Sequence, residues 1–120
     1  MYGNEVIVGE AIAECIAAGV LSRCELFVTS KLHSNYHNPD KIIRALKHQL
    51  KALGLTYLDL YLIHCPWGHV AVSEDVEKEF GVENVYINSL PVHRDYSHVA
   101  MWKCMEQALR YVIIYILITH

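Results

Sequence analysis

With 120 residues, the chain has the length of one domain or of part of a larger one. Apolar residues make up 53% and charged residues 19%, enough for a packed core and against a disordered chain. The net charge of -3, the pI near 6.2 and the lack of a Lys/Arg run exclude the basic footprint that nucleic acid requires.

The periodicity predicts a helix over residues 4–18, with Val8, Ala11, Ile12, Cys15 and Ile16 on one face and Gly19 ending it. Residues 25–30 (ELFVTS) read as a short apolar strand without alternation, the pattern of a parallel strand covered on both faces. A polar stretch, Ser34 to Asn38, leads into a second helix. Asn38 is its expected cap and Pro39 its first turn. Ile42, Ile43, Leu46, Leu50 and Leu53 form its apolar stripe, and Gly54 ends it. Residues 57–63 read as a second buried strand. A long mixed connection, residues 65 to about 97, carries Pro66, Gly68, the acidic run Glu74 to Glu79, Gly81 and Pro91; loops of this length tend to be lids or binding loops. A third helix follows from about Ser97 to Arg110, with Trp102, Met105 and Leu109 on one face. Residues 111–119 (YVIIYILIT) are far short of the roughly 20 apolar residues of a membrane span, and their β-branched and aromatic content predicts a buried strand.

Strands alternating with helices imply βα units and a parallel sheet. Two or three strands can neither close a barrel nor cover both sheet faces, so the pattern is that of a slice of a larger α/β fold. The start of the chain, Met1 to Glu5, lacks the basic and apolar regions of a secretory signal. Cys15, Cys24, Cys65 and Cys104 stand far apart without a CxxC and read as reduced thiols of a cytoplasmic protein.

In α/β folds chemistry gathers beyond the carboxyl ends of the strands. Lys31 follows the first strand, His64 follows the second, and Tyr2 precedes the first helix. A phenol with a pKa of about 10 is made more acidic by a nearby ammonium. It can then protonate a carbonyl oxygen that a neutral imidazole orients. Taken singly, each residue has a plainer reading: an exposed terminal tyrosine, a solvated strand-end lysine, a barrel-rim histidine. Eight histidines also raise the possibility of a metal. The pairs His33 and His37, His64 and His69, and His93 and His98 are joined by no Asp, Glu or Cys at zinc-ligand spacing, so they read as solvated loop histidines and no metal is expected. The acidic run reads as a solvated face, Trp102 and Met105 as core, and Trp67 equally as pocket wall or barrel cover.

Three blocks carry a family resemblance: Tyr2-Gly3-Asn4-Glu5 with Val8-Gly9, Phe27-Val28-Thr29-Ser30-Lys31-Leu32, and Leu58 through His64 followed by Pro66. In this order and spacing they resemble the aldo-keto reductases, and Trp102 to Glu106 is similar to that family's fourth helix. The resemblance covers residues 1–109 and leaves residues 110–120 as a divergent apolar tail. It implies a partial (β/α)8 TIM barrel, about strands 3–4 with helices 2–4 and a strand-5-like tail. It also implies NADPH as hydride donor and small aldehydes or ketones as substrates. Carried over by position, Tyr2 is the proton donor, Lys31 lowers its pKa and borders the cofactor, and His64 orients the carbonyl. His33, Cys65 and Trp67 fall where the family walls its substrate pocket, but His33 and Cys65 replace the usual aromatics. The family's active-site Asp, its Ser-Asn pair and its adenosine-phosphate segment have no counterpart in the sequence. A full-length relative is expected to be monomeric. This chain is expected to have little or no activity by itself, with association through open sheet edges as the alternative role.

Overall fold

The computed structural model describes residues 3–69, 92–93 and 97–109, with no side-chain description at 69, 92 and 93. Tyr2, the acidic run and the strand expected over 111–119 lie outside the described residues.

Helix α1 spans Glu5–Ala17, strand β1 Thr29–Leu32, helix α2 Pro39–Leu53 and strand β2 Leu60–Ile63. Two short strands paired antiparallel, β3 (Gly68–His69) and β4 (Val92–His93), precede helix α3, His98–Ala108. β1 and β2 are parallel, in register from Thr29 opposite Leu60 to Leu32 opposite Ile63. The pairing continues past both strands. The Asp59 N–H donates to the Val28 carbonyl at 3.0 Å, and the His64 N–H donates to the Leu32 carbonyl at 3.0 Å. The expected βαβ unit is therefore present, with α2 as its crossover.

α2 forms where the sequence places it. The Asn38 side chain accepts from the Asp40 N–H, Pro39 occupies the first turn, and Gly54 closes the helix at φ 64. That left-handed conformation is nearly free of cost only for glycine. The helix buries Ile42, Ala45, Leu46 and Leu53 against Leu32, Leu58, Tyr61 and Ile63, with Met101, Met105 and Ala108 of α3 completing the cluster. Each fully buried aliphatic side chain of this kind contributes about 2 kcal/mol.

Several expectations require correction; the second strand, for one, begins at Leu60 rather than at residue 57. The first strand begins at Thr29 rather than at Glu25, because Glu25 closes a 3-10 turn (Arg23–Glu25) by accepting from the Ser22 N–H at 2.8 Å and the Ser22 hydroxyl at 2.7 Å. Strand pairing starts only where β2 supplies a partner. The strand is also not covered on both faces: Thr29 and Phe27 are exposed, Phe27 by 67%. The buried side of α1 is Gly9 with Ile12 and Ile16 half-buried, while Val8, Ala11 and Cys15 are exposed. A Cβ on Gly9 would stand 2.6 Å from the Leu53 carbonyl carbon, so the glycine sets how closely α1 lies on α2. Finally, α3 buries Met101, Met105 and Ala108, and Leu109 is 42% exposed. Met105 is shared with the expected face, while Trp102 and Leu109 give way to Met101 and Ala108, each one residue earlier, because packing on α2 sets the face and periodicity alone does not locate it.

The polar stretch after β1 is not a solvated loop. Ser34–Tyr36 form a buried 3-10 turn, and His33 and His37 are 5% and 1% exposed. Among the described residues, no helix is long and apolar enough to cross a membrane.

Candidate active site

A cleft of about 240 Å³ runs along β1 to its carboxyl end. Lys31, His33 and His64 line it, together with Asn4 and Glu5 from the start of α1 and Gln49 from α2. The topology makes this meeting possible. Parallel pairing places Lys31 opposite Leu62, so the residue just past β2, His64, comes level with the end of β1.

Each side chain has a local reason for its position. Lys31 lies within β1, and its backbone carbonyl accepts from the Gln49 side-chain amide at 3.1 Å. The His33 Nδ1 accepts from the Asn35 N–H at 3.4 Å, which caps the 3-10 turn and leaves the ring proton on Nε2. The His33 ring stands edge-on to His64, with centroids 6.2 Å apart and planes at 60°, and tilts against Tyr36 at the same separation. Burial lowers the pKa of His64 below the usual imidazole value, and the positive charge of Lys31 lowers it further. The ring is therefore neutral at pH 7 and able to donate one hydrogen bond. Among the described residues that line it, the charged side chains are the ammonium of Lys31 and the carboxylate of Glu5, beside two imidazoles.

Cys65 and Trp67 follow His64 but are not among the residues lining the cleft. The Cys65 thiol donates to the Trp67 carbonyl at 3.3 Å. Burial pushes its pKa up, against hydrogen bonds to Ser34 and Trp67, so it is a protonated thiol at neutral pH. Trp67 is 52% exposed. Tyr2 lies outside the described residues; Asn4 and Glu5, the next polar residues of the chain, border the cleft. Tyr61 is no substitute acid. It is fully buried in the core, and burial followed by the neighbouring Tyr36 pushes its phenol far above the usual range.

Sequence reasoning missed Gln49, Asn4 and Glu5 as cleft residues. Gln49 carried a readable signal, because it occupies a core position of α2, three residues after Leu46 and four before Leu53. A polar side chain there must find a partner or lose hydrogen-bonding free energy. At the opposite end of the strands, Arg23 was also missed. Its guanidinium donates to the Leu26 and Tyr57 carbonyls, both at 2.9 Å, and to the Asp59 carboxylate at 2.8 Å. It also lies 3.8 Å over the Tyr57 ring. His98 Nε2 meets the Pro66 carbonyl at 2.8 Å and ties the start of α3 to the segment after β2. Among the described residues, no three His, Cys, Asp or Glu side chains gather as metal ligands.

A model of the Aldo/keto reductase family matches residues 1–110. The NADPH-dependent aldose reductase GRE3 of Saccharomyces cerevisiae is 54% identical over an alignment covering 90% of this chain and 35% of the relative. The NAD(P)H-dependent D-xylose reductase I,II of Candida tropicalis is 51% identical, over 88% and 32%. The aldose reductase of Schistosoma japonicum superposes with a TM-score of 0.77 at 29% identity, covering 96% of this chain and 36% of that one. Bombyx mori aldo-keto reductase AKR2E4, solved in complex with NADP, gives 0.73 at 34% identity, covering 94% and 32%. The chain thus spans about a third of the length of these relatives, and its α/β arrangement is part of their barrel.

Proposed function

This chain belongs to the aldo/keto reductase family, and we propose that its cleft is the reacting end of an NADPH-dependent carbonyl reductase that converts aldehydes or ketones to alcohols. The observation that carries this reading is the convergence of Lys31 and a neutral His64 on one cleft at the carboxyl end of a parallel strand pair. The functional unit is residues 1–109, with residues 110–120 outside it.

The cleft suits the ring end of a dinucleotide rather than its phosphates. Its volume is about 240 Å³ and Lys31 is its one ammonium among the described residues, whereas phosphates call for several donors or a helix N-terminus with a cation. Lys31 would border that ring. When bound, NADPH supplies the hydride that the carbonyl carbon accepts. The remaining chemistry falls to the protein. Tyr2 protonates the carbonyl oxygen as general acid, and Lys31 makes that phenol more acidic by stabilising its anion. His64 donates a hydrogen bond to the same oxygen and orients it. His33 faces the substrate, and Cys65 and Trp67 form a rim that a longer substrate would meet. The substrate is a small carbonyl compound, and the cytoplasm is the compartment that suits four free cysteines.

A (β/α)8 barrel runs to about 250 residues, so the 120-residue chain acting alone is expected to be weakly active or inactive. A second reading, a non-catalytic chain that associates through its sheet edges, is favoured by one observation. Among the described residues the β1–β2 sheet has two strands, so each has one edge that no described strand pairs.

NADPH oxidation with a generic aromatic aldehyde, measured beside Tyr2→Phe, tests the first reading. Turnover that the substitution lowers by about 100-fold or more supports it. Turnover equal in both chains overturns the assignment of Tyr2. If neither chain turns over while gel filtration shows concentration-dependent assembly, the second reading holds for the isolated chain.

A further inference from the structure

We infer that Gln49 is a positioning residue for Lys31: from the buried face of α2 it holds the outer edge of β1 and so fixes where the lysine enters the cleft. Carbonyls of successive strand residues point to opposite edges. The Leu32 carbonyl accepts from the His64 N–H and thus faces β2. The Lys31 carbonyl therefore faces the other edge, where no strand pairs with β1 among the described residues. Gln49 reaches that carbonyl with its side-chain amide at 3.1 Å.

The placement of Gln49 has a physical cost that asks for a reason. It is 3% exposed, at a helix position whose neighbours along the stripe, Leu46 and Leu53, are apolar core. An apolar residue there would pack without any need for a partner. The amide instead holds the backbone carbonyl of Lys31, and Gln49 itself lines the same cleft. A hydrogen bond to the main chain at Lys31 restricts the residue's Cα–Cβ direction, and so the sector its ammonium can occupy. For catalysis this role rests on the function proposed for Lys31, but its physical content can be read without turnover.

That readout is the titration of His64. The titratable side chains that line the cleft with this imidazole are Lys31, His33 and Glu5; after burial, the charge of Lys31 and then that of the chain's amino terminus keep the His64 pKa low. The experiment follows the His64 ring proton by NMR against pH in the full chain for four proteins: the parent, Gln49→Met, Lys31→Met and the double variant. Gln49→Met keeps length and volume and loses the donor. The expected result is an upward shift of the His64 midpoint in Gln49→Met, a larger one in Lys31→Met, and no further shift when Gln49→Met is added to Lys31→Met. If Gln49→Met does not fold, Gln49→Asn serves, since its amide falls one methylene short of the carbonyl and the same shifts are expected. An unmoved midpoint in the folded Gln49 variant overturns the proposal, as does an equal shift in the Lys31→Met background, which would mark a role in packing alone. Loss of NADPH turnover in Tyr2→Phe bears on the reductase reading, whereas this cycle bears only on the link from Gln49 to Lys31, so the two can fail separately.

Discussion

The two ends of the β1–β2 pair handle charge in opposite ways. At the amino end, Arg23 and Asp59 are bonded to each other and to the backbone around them: the guanidinium to two carbonyls, and the carboxylate to the Val28 N–H at 2.8 Å. Both side chains are mostly covered, at 18% and 20% exposed. At the carboxyl end, the charge of Lys31 opens onto a cleft beside imidazoles. One end is closed by an ion pair bonded to the backbone, and the other lines a space where a ligand can sit. This division agrees with the general rule that the carboxyl face of α/β strands carries chemistry and the amino face carries stability.

The largest effect on stability is expected at the amino end. Asp59→Ala leaves the Arg23 guanidinium and the Val28 N–H without their acceptor and should destabilise the chain by about 3 kcal/mol in urea unfolding. The His64 titration should stay where it is. A moved His64 midpoint would show that the two ends are coupled. Gly9→Ala tests the packing that both ends share. Its new methyl group meets Leu53 backbone, which cannot swing aside, and a loss of about 2 kcal/mol is expected. An unchanged unfolding midpoint would mean that α1 does not depend on this approach.

Acid should distinguish the two ends by pH range. Burial raises the Asp59 carboxyl, but the Val28 N–H and Arg23 outweigh it and hold the pKa below the usual carboxylate value of 3.8. Its stabilisation is thus complete above that value and is lost as pH falls through the lower folded value. His64 is also lowered, from 6.5, so the unfolded chain takes up its proton first. Stability should begin to fall as pH drops below about 6.5, and His64→Gln should remove that upper portion alone. Unfolding midpoints from pH 8 to pH 3 would check both, and a His64→Gln profile identical to the parent would discard the histidine contribution. The smallest effect is expected from Lys31→Met, less than about 1 kcal/mol, because a charge on an open cleft is screened by solvent. A larger loss by thermal unfolding would mean that Lys31 is structural.

Much of the scaffold was legible in the sequence because local chemistry specifies it. Asn38, Pro39 and Gly54 mark the ends of α2 through hydrogen bonds and φ values that involve only near neighbours in the chain. Lys31 and His64 were legible as a pair because each stands at the end of an apolar run. The buried faces of α1 and α3 were not, since an apolar residue in a short helix does not reveal which neighbour it meets. Gly9 was read as part of a motif and proved to be the contact that seats α1 on α2. The polar run from His33 to His37 read as solvated because polar residues usually are. Its burial depends on a 3-10 turn packed under α2 and beside β3, which no local pattern encodes.

By itself, the sequence determined the order of α1, β1, α2, β2 and α3, the caps of α2, the parallel βαβ unit and the family to which the chain belongs, all of which follow from periodicity, turn chemistry and motif; it did not show the β3–β4 pair or the two 3-10 turns. Only the tertiary structure decided that Lys31, His33 and His64 share one cleft while Cys65 and Trp67 stand off it. It alone also decided that Gln49 reaches the backbone of Lys31 and that Arg23 closes the far end on Asp59. The physical reason is distance along the chain. Caps and turns are settled within a few residues, whereas a cleft is made by groups that come together only when β2 pairs with β1 and α2 folds back across them.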